Sequence, residues 1–547
     1  MLGAGPFSQQ VTFDMLSDDV LLNIYSHYLD ASPQFWPTLT HVCQRWRQIV
    51  LSSPLGLHLR LYCTYGTPVT KSLECWPPLP LVVNYGGSSM LNTPDPEDEE
   101  NIIAALKHSD RVSSINLIIT NSLSEKFSII SEPFSELEEL VLLSRDNRQL
   151  TLPNAFRLGP RLHTLHLTRI AIPTLPHLLS LSTGLVNLRL HNIPNVRGFS
   201  PNMFANALSD MTQLKTLSLH FLTLPPRRSY LTLPPQSGER AVLSVLACLE
   251  YRGTSKYLDS LVARIDAPHL EDIDITFFSQ PTMDASHLGR FIEGVEIQTL
   301  LSKADLQTSA HSISLRLSRT GAPPQLRLQI SCKQLDWQLL SMTQIGNHLS
   351  SSLFHVKDLG VLSTQLSSGN NDTDSDQWIA LIRAFGGANN FRVAGTYVTD
   401  ILRALCPTEG NHTTDAIVLP ALRDIHVREA LPIVGPLWDA VHSLFTLRRL
   451  SGRPVEFHVS HFLCHHCNIR FKRQEELERH NADNHISTNL LKSKHPEVVP
   501  TDTLTSSPGS PYSDNHSIWD DDLDQVDLIP NFKIPNLLRQ LHLLNHQ

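Results

Sequence analysis

The chain has 547 residues with 44 Lys and Arg against 53 Asp and Glu, a net charge of -9 and an isoelectric point near 6.3. This length exceeds what one core holds and predicts two to four domains, while the acidic balance excludes nucleic-acid binding driven by global charge. With no run of about 18 apolar residues, no basic-then-apolar leader and cysteines outside any framework, we expect no membrane span and no secretion, and a location in cytoplasm or nucleus.

Residues 1–11 carry no element signal and are expected to be disordered. A helical unit is readable across 12–62. Ser17 is placed to cap a helix opened by Asp18 and Asp19, whose charge complements the positive end of the helix dipole. Val20, Leu21, Ile24, Tyr25 and Tyr28 recur at helical spacing. From Pro37 to Val50, the residues Leu39, Val42, Cys43, Trp46 and Ile49 mark a second helical stretch that ends before Pro54.

The residues Leu16-Ser-Asp-Asp-Val-Leu-Leu-Asn-Ile24, His41-Val-Cys-Gln-Arg-Trp46-Arg47 and Ser53-Pro54-Leu55 resemble an F-box. Through Leu59-Arg-Leu-Tyr-Cys63, Thr67-Pro-Val69 and Trp76-Pro-Pro-Leu-Pro-Leu81, the chain also looks like a large fungal group of F-box proteins with repeat-like C-terminal halves. The resemblance implies a box that docks helix against helix on the adaptor of a cullin-type ubiquitin ligase. It assigns contact and packing positions to Leu16, Val20, Leu21, Ile24, Val42 and Trp46. Two features depart from that pattern: Ser17 stands where many F-boxes have proline, and the joint over 30–37 is longer than usual.

The next segment, 63–104, reads as a linker, with Thr93 to Glu100 as a solvated polar insertion. Over 105–455 a short apolar signature recurs as Val112/Ile115/Leu117, Leu137/Leu140/Leu142, Leu162/Leu165/Leu167, Leu185/Leu188/Leu190 and Leu214/Leu217/Leu219. The steps of 25, 25, 23 and 29 residues are those of leucine-rich repeats, in which each strand buries alternate residues against the next coil. Later copies are read at Leu246/Leu249/Tyr251, Leu270/Ile273/Ile275, Ile313/Leu315/Leu317 and Leu422/Ile425/Val427, and Arg448 to Val455 closes the region. The asparagine usual in the repeat turn is mostly missing, so the solenoid is degenerate. Such a surface suits an unknown protein target. No motif for hydrolysis, phosphate binding or dinucleotide binding accompanies it, and no enzymatic activity is expected. His163, His166 and His191 lack a partner at metal spacing and read as surface or packing residues.

Over 458–487 the ligand types Cys464, Cys467, His480 and His485 follow C-x2-C-x12-H-x4-H, a zinc-binding spacing, with Phe462, Phe471 and Leu477 as a miniature apolar core. The segment resembles the two-cysteine, two-histidine zinc finger, a ββα unit. If its helix starts near Arg473, the base-reading positions of such fingers fall on Arg473, Glu476 and Arg479. Glu475, Glu476 and Glu478 oppose phosphate attraction, which favours a protein contact or structural role over nucleic acid. The remainder, 488–547, reads as a disordered acidic tail.

The expected fold class is therefore multidomain α/β: an F-box-like helical unit, an irregular leucine-rich-repeat-like solenoid, one finger and a tail. The expected function is non-catalytic substrate recognition in a ubiquitin ligase, the alternative a nucleic-acid-binding or transcription-associated zinc-finger protein.

Overall fold

The computed structural model describes 16–86, 93–145, parts of 150–193, 200–221, 240–296 and 301–363 with short breaks, 375–395, 397–406, 417–428 and 436–459, and beyond these only 462–463, 470–471, 476, 479 and 480. The expectations for 1–11 and for the tail fall outside these residues.

Helix α1 spans Asp18–Ala31, with the Ser17 hydroxyl accepting from the Val20 amide at 3.4 Å. The second helical stretch is two helices, α2 over Trp36–Thr40 and α3 over Gln44–Ser52. They separate because Cys43 turns extended, at φ -157, and its sulfur caps the Trp46 amide. Arg45 of α3 pairs with Asp18 at 2.7 Å and donates to the Leu16 carbonyl, holding α3 against the start of α1. Leu21, Tyr25 and Leu29 are buried, and the Tyr25 and Trp46 rings meet at 4.9 Å.

Sixteen strands, from Leu61–Cys63 to Glu456–Val459, form one sheet. Its second strand lies inside the segment expected to be a linker, and its first begins at that segment's edge: Leu61–Cys63 pairs parallel with Leu81–Tyr85, which pairs with Val112–Ile119. The polar run within that segment is solvated only in part, Asp98 and Glu99 being buried. It starts the helix Pro96–Leu106, whose acidic residues satisfy neighbours. Asp95 caps the Asp98 amide, Asp98 accepts from the Gly66 amide, and buried Glu99 accepts from Thr120, Ser122 and Lys126. Composition alone cannot distinguish a carboxylate in water from one that caps and pairs.

The signature residues stack in register. Leu140 stands beside Leu165, Leu165 beside Leu188, Leu188 beside Leu217, Leu217 beside Leu249 and Leu249 beside Ile273, all fully buried. Helices such as Pro201–Ser209, Ser255–Val262 and Ser286–Glu293 turn apolar faces to the same core. Each leucine so buried is worth roughly 1.5–3 kcal/mol, and the ladder repeats that gain once per coil.

One expected copy differs. Ser312–Ser318, carrying Ile313/Leu315/Leu317, is the middle strand of an antiparallel meander with Lys303–Thr308 and Leu326–Ser331. The meander enters the sheet in reverse, Leu326–Ser331 against Asp272–Phe278 and Lys303–Thr308 against Asp358–Ser363. A turn closed by Ser309 and Ser312 makes its first reversal, and Gly321, at φ 80, lies in its second. Its apolar alternation has period two, which is the same in either chain direction.

At the far end Glu456–Val459 pairs parallel with Asp424–Arg428, carrying the sheet just past the expected boundary at 455. The preceding helix, Pro436–Leu450, delivers fully buried Arg448, whose guanidinium donates to the carbonyls of Val418 and Leu419.

Candidate functional sites

The positions assigned by the F-box resemblance divide in two. Leu21 is core, and Leu16 and Trp46 are half-buried against it. Val20, Ile24 and Val42 are 45%, 44% and 57% exposed. Residues four apart share a helix face, so Val20 and Ile24 form a line that exposed Tyr28 continues. Helix α1 is thus apolar on two sides and buries only one.

In the segment that resembles a zinc finger, Phe462–Leu463 pairs antiparallel with Arg470–Phe471, Phe462 opposite Phe471. The chain joining these strands carries Cys464 and Cys467. Glu476, Arg479 and His480 are helical; Arg479 is exposed, and Glu476 and His480 are half-buried. Cys464, Cys467, His485 and Arg473 lie outside the described residues.

A third arrangement comes from the sheet. Within each strand the leucines face the core, so the residues between them line the open face. On Thr164–Thr168, Asn187–Ile193, Thr216–Phe221 and Cys248–Gly253, these include His166, His191, Ser218, His220 and Glu250. Leu190 pairs with Leu219, so the next residues, His191 and His220, stand side by side; their rings stack at 4.0 Å and 7°. Asn192, at φ 51, then breaks the register with a bulge. His166 meets His191 edge-on at 4.9 Å.

Ser218 Oγ lies 2.7 Å from His191 Nε2 and donates to Glu250 Oε2 at 2.8 Å. His220 Nε2 lies 2.9 Å from Glu250 Oε1. Burial, helped by neighbouring positive groups, holds His166 down to about 4 and His191 to about 3, so both imidazoles are neutral at pH 7. The hydrogen bond from His220 holds the Glu250 carboxyl down to about 2 against the opposing effect of burial.

One of the histidines set aside for want of a partner at metal spacing, His191, thus has partners in His220 and Glu250, while His166 meets it only ring edge to ring. Sequence spacing concealed this because the partners sit on successive coils, His191 and His220 being 29 residues apart. The legible signal is histidine at an outward position of consecutive repeats. His163 takes no part and contacts Thr164 Oγ instead.

Farther along, the open face carries alternating charge. Arg327 bridges Asp274 at 2.9 Å and Asp272 at 3.7 Å, Lys303 and Arg392 flank Asp305, and His426 stacks on His458 at 4.7 Å. No helix among the described residues is long and apolar enough to cross a membrane.

No protein-family model matches the chain, and no curated protein matches it. Among solved structures, the leucine-rich repeat-containing protein LegL7 from Legionella pneumophila aligns over 71% of this chain and 97% of its own, at 13% identity and a TM-score of 0.25. So loose a superposition adds nothing to the site. The repeat architecture rests on the chain's own ladder of parallel strands.

Proposed function

We propose that the chain is a non-catalytic substrate-recognition subunit of a cullin-type ubiquitin ligase, with α1 to α3 holding the adaptor and the sheet face and finger presenting a target. The observation that carries this reading is the exposed line of Val20, Ile24 and Tyr28 on a helix whose other apolar side is already used, with Val42, in the turn before α3, also exposed. A helix apolar on two sides is suited to pack on a second helix, and each such side chain fully covered is worth roughly 1.5 kcal/mol or more. The open sheet face, polar and of mixed charge, supports a protein partner over a membrane or a polyanion.

Co-purification with the adaptor tests the reading. Val20→Asp combined with Ile24→Asp should abolish capture while leaving the thermal unfolding of the chain intact. Capture at the wild-type level would reject it. Leu21 is unsuitable for this purpose because its loss would unfold α1.

In the same reading Cys464, Cys467, His480 and His485 hold one zinc ion. The pairing of 462–463 with 470–471 and the helical residues 476, 479 and 480 support the ββα order that reading requires. Zinc there would supply folding free energy, roughly 10–16 kcal/mol in isolated fingers, that so short a segment cannot gain by burial. Cys464→Ser should lower bound zinc by one ion per chain. A nucleic-acid role is favoured by Arg479, exposed on the finger helix, but one finger buries only about 600–1,000 Å² on DNA. A salt-sensitive shift of labelled duplex, lost in Cys464→Ser, would establish that second reading.

A further inference from the structure

The histidines of the open face form a cluster that the recognition reading does not use. His191, His220 and Glu250 lie on three successive strands, and one ligand atom from each falls within 4.8 Å of the other two. All three residues are half-buried. Their donor atoms gather around one point, Ser218 Oγ, which lies 2.7 Å from His191 Nε2, 2.8 Å from Glu250 Oε2 and 3.5 Å from His220 Nε2.

We propose that His191, His220 and Glu250 form a second zinc site, separate from the finger, which clips three consecutive coils together on the open face of the sheet. Two imidazoles and one carboxylate are a ligand set that zinc accepts, with the fourth tetrahedral position left to water. Bonds of about 2.0–2.2 Å place neighbouring tetrahedral ligands about 3.4 Å apart. The present separations, all within 4.8 Å, reach that value through rotations of side chains whose backbones are fixed by the ladder. The stacked rings must turn well out of parallel, since each lone pair lies in its ring plane.

Ser218 then becomes a neighbour of the ion and keeps its hydrogen bond to the free oxygen of Glu250, an outer-shell partner of the kind that orients a metal-bound carboxylate. Arg189, on the same strand as His191, borders the cluster and joins no ligand set. The cluster Asp424, Glu456 and His458 offers a similar set but two of its members are exposed, and it serves as the control.

The experiment uses the full-length chain, stripped of metal and dialysed against micromolar zinc, with bound zinc measured per folded chain. The wild type is expected to hold two ions and the variant C464S/C467S one. Adding H220Q or E250Q to C464S/C467S should remove that ion, and adding H458A should not. A C464S/C467S chain that folds yet binds no zinc overturns the proposal, as does retention of its ion in both H220Q and E250Q. The finger reading fails distinguishably, with wild type and C464S/C467S binding the same number. E250Q keeps the shape of the side chain, so the test survives if H220Q does not fold. Thermal unfolding gives a second readout: zinc should raise the midpoint of C464S/C467S and leave that of the E250Q derivative unmoved.

Discussion

Buried charge in this chain is kept by local partners, and two residues show what that is worth. Glu99 is nearly covered; burial alone would raise its pKa, but hydrogen bonds from Lys126, Ser122 and Thr120 and the Lys126 charge hold it below the ordinary carboxylate value. A carboxyl lowered in the folded state contributes stability above its unfolded pKa, near 4.3, and loses it as pH falls below that. Glu99→Gln should therefore cost about 1–3 kcal/mol at pH 7, with wild type and variant converging as the pH falls below about 4. Denaturant titrations at pH 7 and pH 3.5 check this, and a constant difference would contradict it. Arg448 pairs with no carboxylate among the described residues and donates to two carbonyls, those of Val418 and Leu419. Arg448→Ala leaves both unsatisfied beside a cavity, so a loss of about 2–5 kcal/mol in chemical denaturation is expected.

The strands and helices were legible where a period reports burial, and less so where direction or distance matters. The capping of α1 by Ser17 follows from residue chemistry, and the ladder from Leu140 to Ile273 follows from the spacing of its leucines. The meander over 303–331 was hidden because alternation reads the same in both chain directions. The cluster of His191, His220 and Glu250 was hidden because its members are a coil apart in sequence and adjacent only through register. Register also leaves no room at Gly395, which ends its strand at φ 99 with a virtual Cβ overlapping the Ser363 carbonyl. Gly395→Ala combines a strained backbone with that overlap, and should lower the unfolding midpoint by several degrees in a scan where Gly66→Ala, strained but open, costs less.

Across the molecule, the N-terminal helices and the sheet are one folding unit. Their buried residues belong to a single apolar core running from Leu21 to Val455. The join is specific: the Trp36 indole donates to the Arg60 carbonyl at 2.7 Å, its ring meets Trp76 edge-on at 4.7 Å, and Arg60 pairs with Glu138. In a stacked array the terminal coil needs a cap, because each coil buries its apolar face only against neighbours. The N-terminal helices fill that role for Leu61–Cys63 and Leu81–Tyr85, so an adaptor held on Val20 and Ile24 would be rigidly tied to the open face. Starting the chain at Leu61 should therefore lower the unfolding midpoint of the sheet and expose its first strands to hydrogen exchange. Trp36→Ala in the whole chain should do the same to a lesser degree. If the shortened chain exchanges over 81–119 as slowly as the full one, the helices are an independent module and the rigid link to the sheet fails.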